Sequence, residues 1–195
     1  MWLRGRVVTP CACRRGLQLL CLTLFLPGVL QAGSVLDSNV SRDGNSYSLS
    51  ITARVEATPA QVYRSITDFS NLPAINPSIE EGSVLENEGN RRRVRSVIKV
   101  CILVFCKRVE RVQDVFLIDA HTVVAVIVPG AGDFRAGKAR WNISTDDGAT
   151  RLLFSETFEP DFWVPPVIGP WLIERKLVRE VAETAMYIEG MNTGQ

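Results

Sequence analysis

The sequence predicts an α+β domain in which a seven-stranded, curved antiparallel sheet wraps around one long C-terminal helix. Three observations point there. Between Ile79 and Asp161 six segments have a strand pattern, and the short turn-like connections between them make neighbouring strands antiparallel. A seventh such segment, Tyr47–Val55, precedes them and is set apart by helix-start signals. The chain then ends in a stretch with helical periodicity, roughly Pro170–Met191. A sheet of that size cannot bury its apolar face alone, so it curls around the helix.

Taken in order, Tyr47–Val55 alternates apolar and polar side chains, the period of a half-buried strand. Thr58-Pro59 reads as an N-cap followed by a first-turn proline, opening a helix that carries Val62, Ile66 and Phe69 on one face. Asn71–Ser78 holds two prolines and supports only a short turn of helix. The six strands that follow are expected at 79–87, 91–102, 106–118, 122–129, 134–145 and 150–160. Their separators are Glu88-Gly-Asn90, Asp119-Ala-His121, Pro129–Asp133 and Asp146-Asp-Gly148. In the last helix Trp171, Val178, Val181, Ala182, Ala185 and Ile188 recur at helical spacing, with Glu174, Arg175, Glu180 and Glu183 elsewhere.

The N-terminus has a different character. Four arginines and no acid occupy residues 1–15, an apolar stretch follows to Leu30, and Ala32-Gly33-Ser34 supplies small residues. A basic start, a short apolar core and a small-residue exit make a secretory signal peptide, here residues 1–32 with cleavage after Ala32. The stretch is shorter than a membrane span needs, and Pro27-Gly28 interrupts it. The whole chain has 195 residues, 22 basic and 21 acidic side chains, one histidine and five cysteines, a formal net charge of +1. Without residues 1–32 it has 163 residues and 18 basic against 21 acidic groups, about −3. That balance excludes a strongly basic nucleic-acid binder, and one histidine argues against a histidine-rich metal site. The ligand-binding domain expected over 33–195 is then periplasmic or secreted.

Two motifs carry a resemblance to a family. Asp68-Phe-Ser-Asn-Leu72-Pro73-Ala-Ile75-Asn-Pro77 has an aspartate followed by an apolar residue, proline, a second apolar residue and proline. Phe134-Arg-Ala-Gly-Lys-Ala-Arg140-Trp141-Asn-Ile143 is a strand leading to arginine–tryptophan. With the strand, helix, six-strand and helix order, they resemble the helix-grip fold of the START-like superfamily of polyketide cyclases, dehydrases and lipid transporters (SRPBCC). Within it, the chain looks most like the coenzyme Q-binding START-domain family. The resemblance covers about residues 47–190. It implies a long isoprenoid or other lipid held between the sheet and the terminal helix. Such family members usually act in the cytoplasm or mitochondria, whereas the leader here directs the chain outward.

Alternation places Ile98, Val100, Trp141, Phe154 and Phe158 on the concave face, joined by Leu72 and Ile75 from the proline-rich turn. Opposite them the terminal helix offers small or β-branched Val178, Ala182 and Ala185, which leaves room for an apolar ligand. A filled core is the alternative. Glu156, Arg111, Gln113 and Arg135 fall in phase with that face. A lone buried charge is costly, so Glu156 is expected to pair with Arg111 or Arg135 and orient a polar ligand head. Register slips or bulges would instead turn these groups to solvent.

Cys101 and Cys106 bracket four apolar residues at the tip of an expected hairpin. In an oxidising compartment they can form a disulfide and hold that tip out for transient membrane contact; a bent, buried strand with two thiols is the other reading. No Ser-His-Asp or Cys-His arrangement and no phosphate loop is legible, and His121 falls on a turn. The expectation is therefore a monomeric, non-enzymatic binder of a hydrophobic small molecule or lipid, with no cofactor or metal. A cyclase or dehydratase using Glu156, Arg111 and Tyr63 is the alternative, and a filled domain acting through protein contacts is the third.

Overall fold

Eight strands, not seven, form one antiparallel sheet in the order β1-β2-β8-β7-β6-β5-β4-β3. The structure is a computed structural model and describes residues 34–102, 105–164 and 169–193. The signal peptide expected over 1–32 lies outside these residues, as do Leu103 and Val104 at the hairpin tip. The elements are β1 (Ser34–Asp43), β2 (Ser46–Val55), α1 (Pro59–Ile66), α2 (Leu72–Ile75), β3 (Ile79–Glu88) and β4 (Arg91–Ile102). They continue with β5 (Phe105–Asp119), β6 (Thr122–Ile127), β7 (Phe134–Asp146), β8 (Ala149–Pro160) and α3 (Gly169–Thr193).

The additional strand is β1. Its apolar residues Val35, Leu36 and Val40 do not alternate, and Leu36 sits in a bulge of the β1–β2 register. Pairing forms it rather than patterning. Gly44, first of the two turn residues, has φ +59°, a conformation glycine adopts without a Cβ penalty. The β7–β8 turn shows the same logic, with Asp147 at φ 46° and Gly148 at φ 85° as a two-residue hairpin requires.

Thr58 caps α1 as expected. Its hydroxyl accepts from the Gln61 amide while the Gln61 side chain accepts from the Thr58 amide at 2.9 Å, a reciprocal capping box. Val62 and Ile66 from α1, and Phe69 beyond its end, enter the core. The proline-rich segment yields a single turn, α2. Helix α3 packs on β1 and β2. Its seat is fixed by the Ser38 hydroxyl donating to Glu174 at 3.0 Å, the Glu56 amide donating to Glu189 at 2.8 Å and the Thr184 hydroxyl donating to the Ile75 carbonyl at 3.2 Å. One end of the interior is filled by Val55, Val62, Ile143, Leu152, Ala185 and Ile188. Among the described residues no helix is long and apolar enough to cross a membrane.

The β4–β5 hairpin outruns its neighbours. Its strands pair from Arg91↔Phe116 to Ile102↔Phe105, while β3 reaches only Ile98 on β4 and β6 only Gln113 on β5. Cys101 and Cys106 are directly opposed in this arm and joined by a disulfide.

Candidate functional site

The space between α3 and the concave sheet is not filled. Two chambers of about 150 and 170 Å³ lie end to end there. The first lies toward the β4–β5 arm and the N-terminal half of α3. Ile98, Val100 and Cys101 line it from β4, with Phe134, Phe158 and Phe162 opposite. These three phenyl rings pack edge to face, with centroids 5.9 and 5.8 Å apart, and Tyr47 stacks on Phe158 at 5.6 Å. The second chamber lies toward α1 and α2, with Leu72 and Ile75 on one side and Trp141 and Phe154 on the other. Those two rings are 4.9 Å apart. Gln113 and Ala185 complete that wall.

Asn76, Arg111, Glu156, Leu177 and Glu180 line both chambers and form a waist between them. Glu156 keeps the phase that strand alternation assigns it, on β8 between the inward Phe154 and Phe158. Its side chain is 8% exposed and accepts from Arg111 Nη1 at 3.2 Å. Glu180 is held by Lys176 one helical turn earlier and by Asn76 Nδ2 at 3.3 Å; Lys176 Nζ also donates to the Ser78 hydroxyl at 2.6 Å. Burial pushes the Glu156 carboxyl above the usual carboxylate range; the Arg111 charge pulls it down and the Glu180 charge adds to the rise. Arg111 Nε is buried and has no hydrogen-bond partner among the described residues.

Such a site can desolvate an apolar molecule on both sides of one polar group and offer that group a cationic donor and a carboxyl. Among the described residues no cluster of three or more histidine, cysteine or acidic side chains is arranged to hold a metal.

Three of the expected site residues lie elsewhere. Arg135 is on the outside, its side chain 57% exposed and paired with Asp161 at 2.7 Å and Glu159 at 3.6 Å. A bulge between Phe134 and Ala136 in the β7–β8 pairing reverses the alternation there, so Phe134 turns inward in its place. Arg135 instead lines a surface hollow of about 440 Å³ with Arg42, Tyr47 and Trp163. Val178 and Ala182 are half-buried but line neither chamber, and Trp171 is exposed with Arg175 over its ring. Of the expected stripe on α3, Val181, Ala185 and Ile188 do line the cavity; before them its face is the row Ile173, Lys176, Leu177 and Glu180, rotated away from Trp171 and Val178. Two charged residues in that row hide the true phase. An interrupted heptad with Lys176 and Glu180 four residues apart is the available signal.

The disulfide borders the first chamber through Cys101. Lys107 on the same arm places its ammonium 4.7 Å from the Phe162 ring centre and so ties the arm to the segment leading into α3.

A helix-grip sheet with an apolar, polar-waisted cavity under its terminal helix defines a ligand-binding class of domain. The chain belongs to the family described as polyketide cyclase / dehydrase and lipid transport, whose model matches residues 47–187. Its fold is similar to that of a Thermus thermophilus protein, TM-score 0.60 and 21% identity over 76% of this chain and 99% of that one. The Zhui aromatase/cyclase of Streptomyces sp. R1128 is similar at TM-score 0.60 and 16% identity, over 76% and 94% of the two chains. A START superfamily protein of Mycobacterium smegmatis is similar at TM-score 0.58 and 19% identity, over 74% and 95%. A search of curated protein sequences finds no match.

Proposed function

We propose that the protein is an exported, monomeric carrier that holds a hydrophobic small molecule, a lipid or an isoprenoid quinone, between the sheet and α3. The observation that carries this reading is the pair of apolar chambers meeting at Arg111 and Glu156. Both motifs that resemble the coenzyme Q-binding family border this space: Leu72, Ile75 and Asn76 from the first, Phe134 and Trp141 from the second. Action in the periplasm or outside the cell is supported by the leader sequence and by the Cys101–Cys106 bond, a linkage that persists where thiols are not kept reduced. The test is native mass spectrometry of protein purified from its own source. A co-purifying apolar molecule is expected; a bare chain that takes up no apolar compound would contradict the reading.

Transient membrane contact is part of the same proposal. The projecting arm ends in the apolar sequence Ile102-Leu-Val-Phe105, with exposed Lys99, Lys107 and Arg108 behind it. Apolar residues at the end of a hairpin suit a bilayer surface, and the cations behind them, each paired with Glu80, Glu81 or Asp133, would have to exchange those partners for lipid headgroups. In vesicle flotation, Phe105→Ser should lower the fraction bound to anionic vesicles; equal flotation of both proteins would remove the arm from the account.

A second reading, an enzyme of the cyclase or dehydratase kind, is favoured by one observation. The Glu156 carboxyl is held above its ordinary range beside a guanidinium, which suits an acid–base group. Turnover of a bound compound, lost in Glu156→Gln while binding persists, separates this reading from the carrier.

A further inference from the structure

The waist places the polar groups of the cavity at its middle, not at one end. Apolar chambers of nearly equal size, about 150 and 170 Å³, extend from it in both directions. A fatty acid or detergent, with its polar group terminal, matches this layout poorly. Anchored at the waist it would leave one chamber without apolar contact; filling both, it would draw its head off the waist.

The charge arrangement is equally selective. Each cation already faces a carboxylate, Arg111 facing Glu156 and Lys176 facing Glu180. A ligand carboxylate would arrive as a third anion in a space of low polarity, against like charge on two sides. What the waist lacks is an acceptor. Arg111 Nε is a buried donor without a partner among the described residues, and Arg111 borders both chambers. Nε itself is closed off, but Arg111 is 20% exposed and spends Nη1 on Glu156, so the rest of its guanidinium is what a ligand oxygen in the cavity can meet.

Resting on the carrier reading above, we infer that the cavity selects a neutral carbonyl compound whose oxygen lies at mid-molecule between two apolar arms, accepting from Arg111 at the waist. Position and neutrality of the acceptor, rather than hydrophobicity alone, then set the affinity.

The experiment compares 6-undecanone, its positional isomer 2-undecanone and decanoate by isothermal titration calorimetry at neutral pH on delipidated protein. The two ketones have the same composition and differ only in where the carbonyl sits. The central isomer is expected to bind about tenfold more tightly, the worth of one hydrogen bond to a charged donor. Decanoate is expected to be weakest. In the double variant Arg111→Met/Glu156→Leu, which removes both charges together, the two ketones should bind alike while still binding. Equal affinities of the ketones for the wild-type protein would overturn the inference and leave the apolar carrier standing. Tightest binding by decanoate would overturn the neutral acceptor. Failure of all three to bind would bring down the carrier reading, and the inference with it. The wild-type comparison is decisive even if the double variant does not fold.

Discussion

Two sets of ion pairs share the β4–β5 hairpin and are built on opposite plans. On the outer face Arg91 contacts Glu86, Glu88 and Asp114, Arg93 contacts Glu86 and Asp114, Arg95 contacts Glu81 and Glu110, and Arg108 contacts Glu80 and Glu81. Each of these four arginines has more than one carboxylate, and water reaches all of them. Inside, Arg111 on the same hairpin has one carboxylate and a donor left over. The redundant outer lattice loses little when one member goes, because neighbours and solvent take over. The inner pair has no substitute among the described residues. Charge on the outer face links strands in contact with water, and charge on the inner face borders the cavity.

Removing one arginine from each set should give the largest difference in stability. Arg111→Met leaves Glu156 buried beside Glu180 and should cost about 3 kcal/mol at neutral pH, toward the low end for a broken buried pair because the carboxyl can take up a proton. Arg93→Met should lower the unfolding midpoint far less, since Glu86 and Asp114 both keep Arg91. Urea unfolding midpoints at constant slope measure both. Equal losses would mean that the two arrays do not differ in kind.

The pH dependence should differ in sign, and by a smaller amount. Glu156 has its carboxyl raised mainly by burial, so its contribution is complete below the ordinary glutamate range, about pH 4, and is lost as pH rises through its raised value. Asp114 is held below the usual range chiefly by its hydrogen bond from Arg93, so its contribution is present above about pH 4 and is lost as pH falls through the lowered value. Each pKa unit of displacement corresponds to about 1.4 kcal/mol at most, and partial exposure reduces this for Asp114. In stability measured from pH 3 to pH 9, Glu156→Gln should flatten the decline on the alkaline side and Asp114→Asn the decline on the acid side. A Glu156→Gln profile parallel to wild type would show that this carboxyl does not titrate differently on folding.

Most of the fold is readable from local signals, and the failures have physical causes. Six strands between Ile79 and Pro160 announce themselves because most turns carry glycine, asparagine or aspartate between alternating runs. Strand β1 has no buried residue among its described side chains and a bulge at Leu36, so only its pairing with β2 reveals it. Alternation identifies Glu156, Arg111, Trp141 and Phe154 on the concave side, but it extends one residue too far at Arg135, where a bulge inverts the strand. On α3 charge reads as a mark of solvent. Lys176 and Glu180 satisfy each other and reach Ser78 and Asn76, so the helix presents a polar row to the cavity that no hydrophobic pattern discloses. Leu177 is hidden along with them, although it borders both chambers.

That leucine supplies the most direct test of the central claim, that an apolar molecule occupies the two chambers around the Arg111–Glu156 waist. Native mass spectrometry is applied to wild-type protein and to Leu177→Trp, both purified from the natural source without detergent. The wild type should carry one apolar small molecule per chain, extractable into organic solvent, and Leu177→Trp, folded by circular dichroism, should arrive bare because the indole fills the waist. A bare wild type that takes up no added apolar compound, or a variant that carries the same adduct as wild type, would contradict the account.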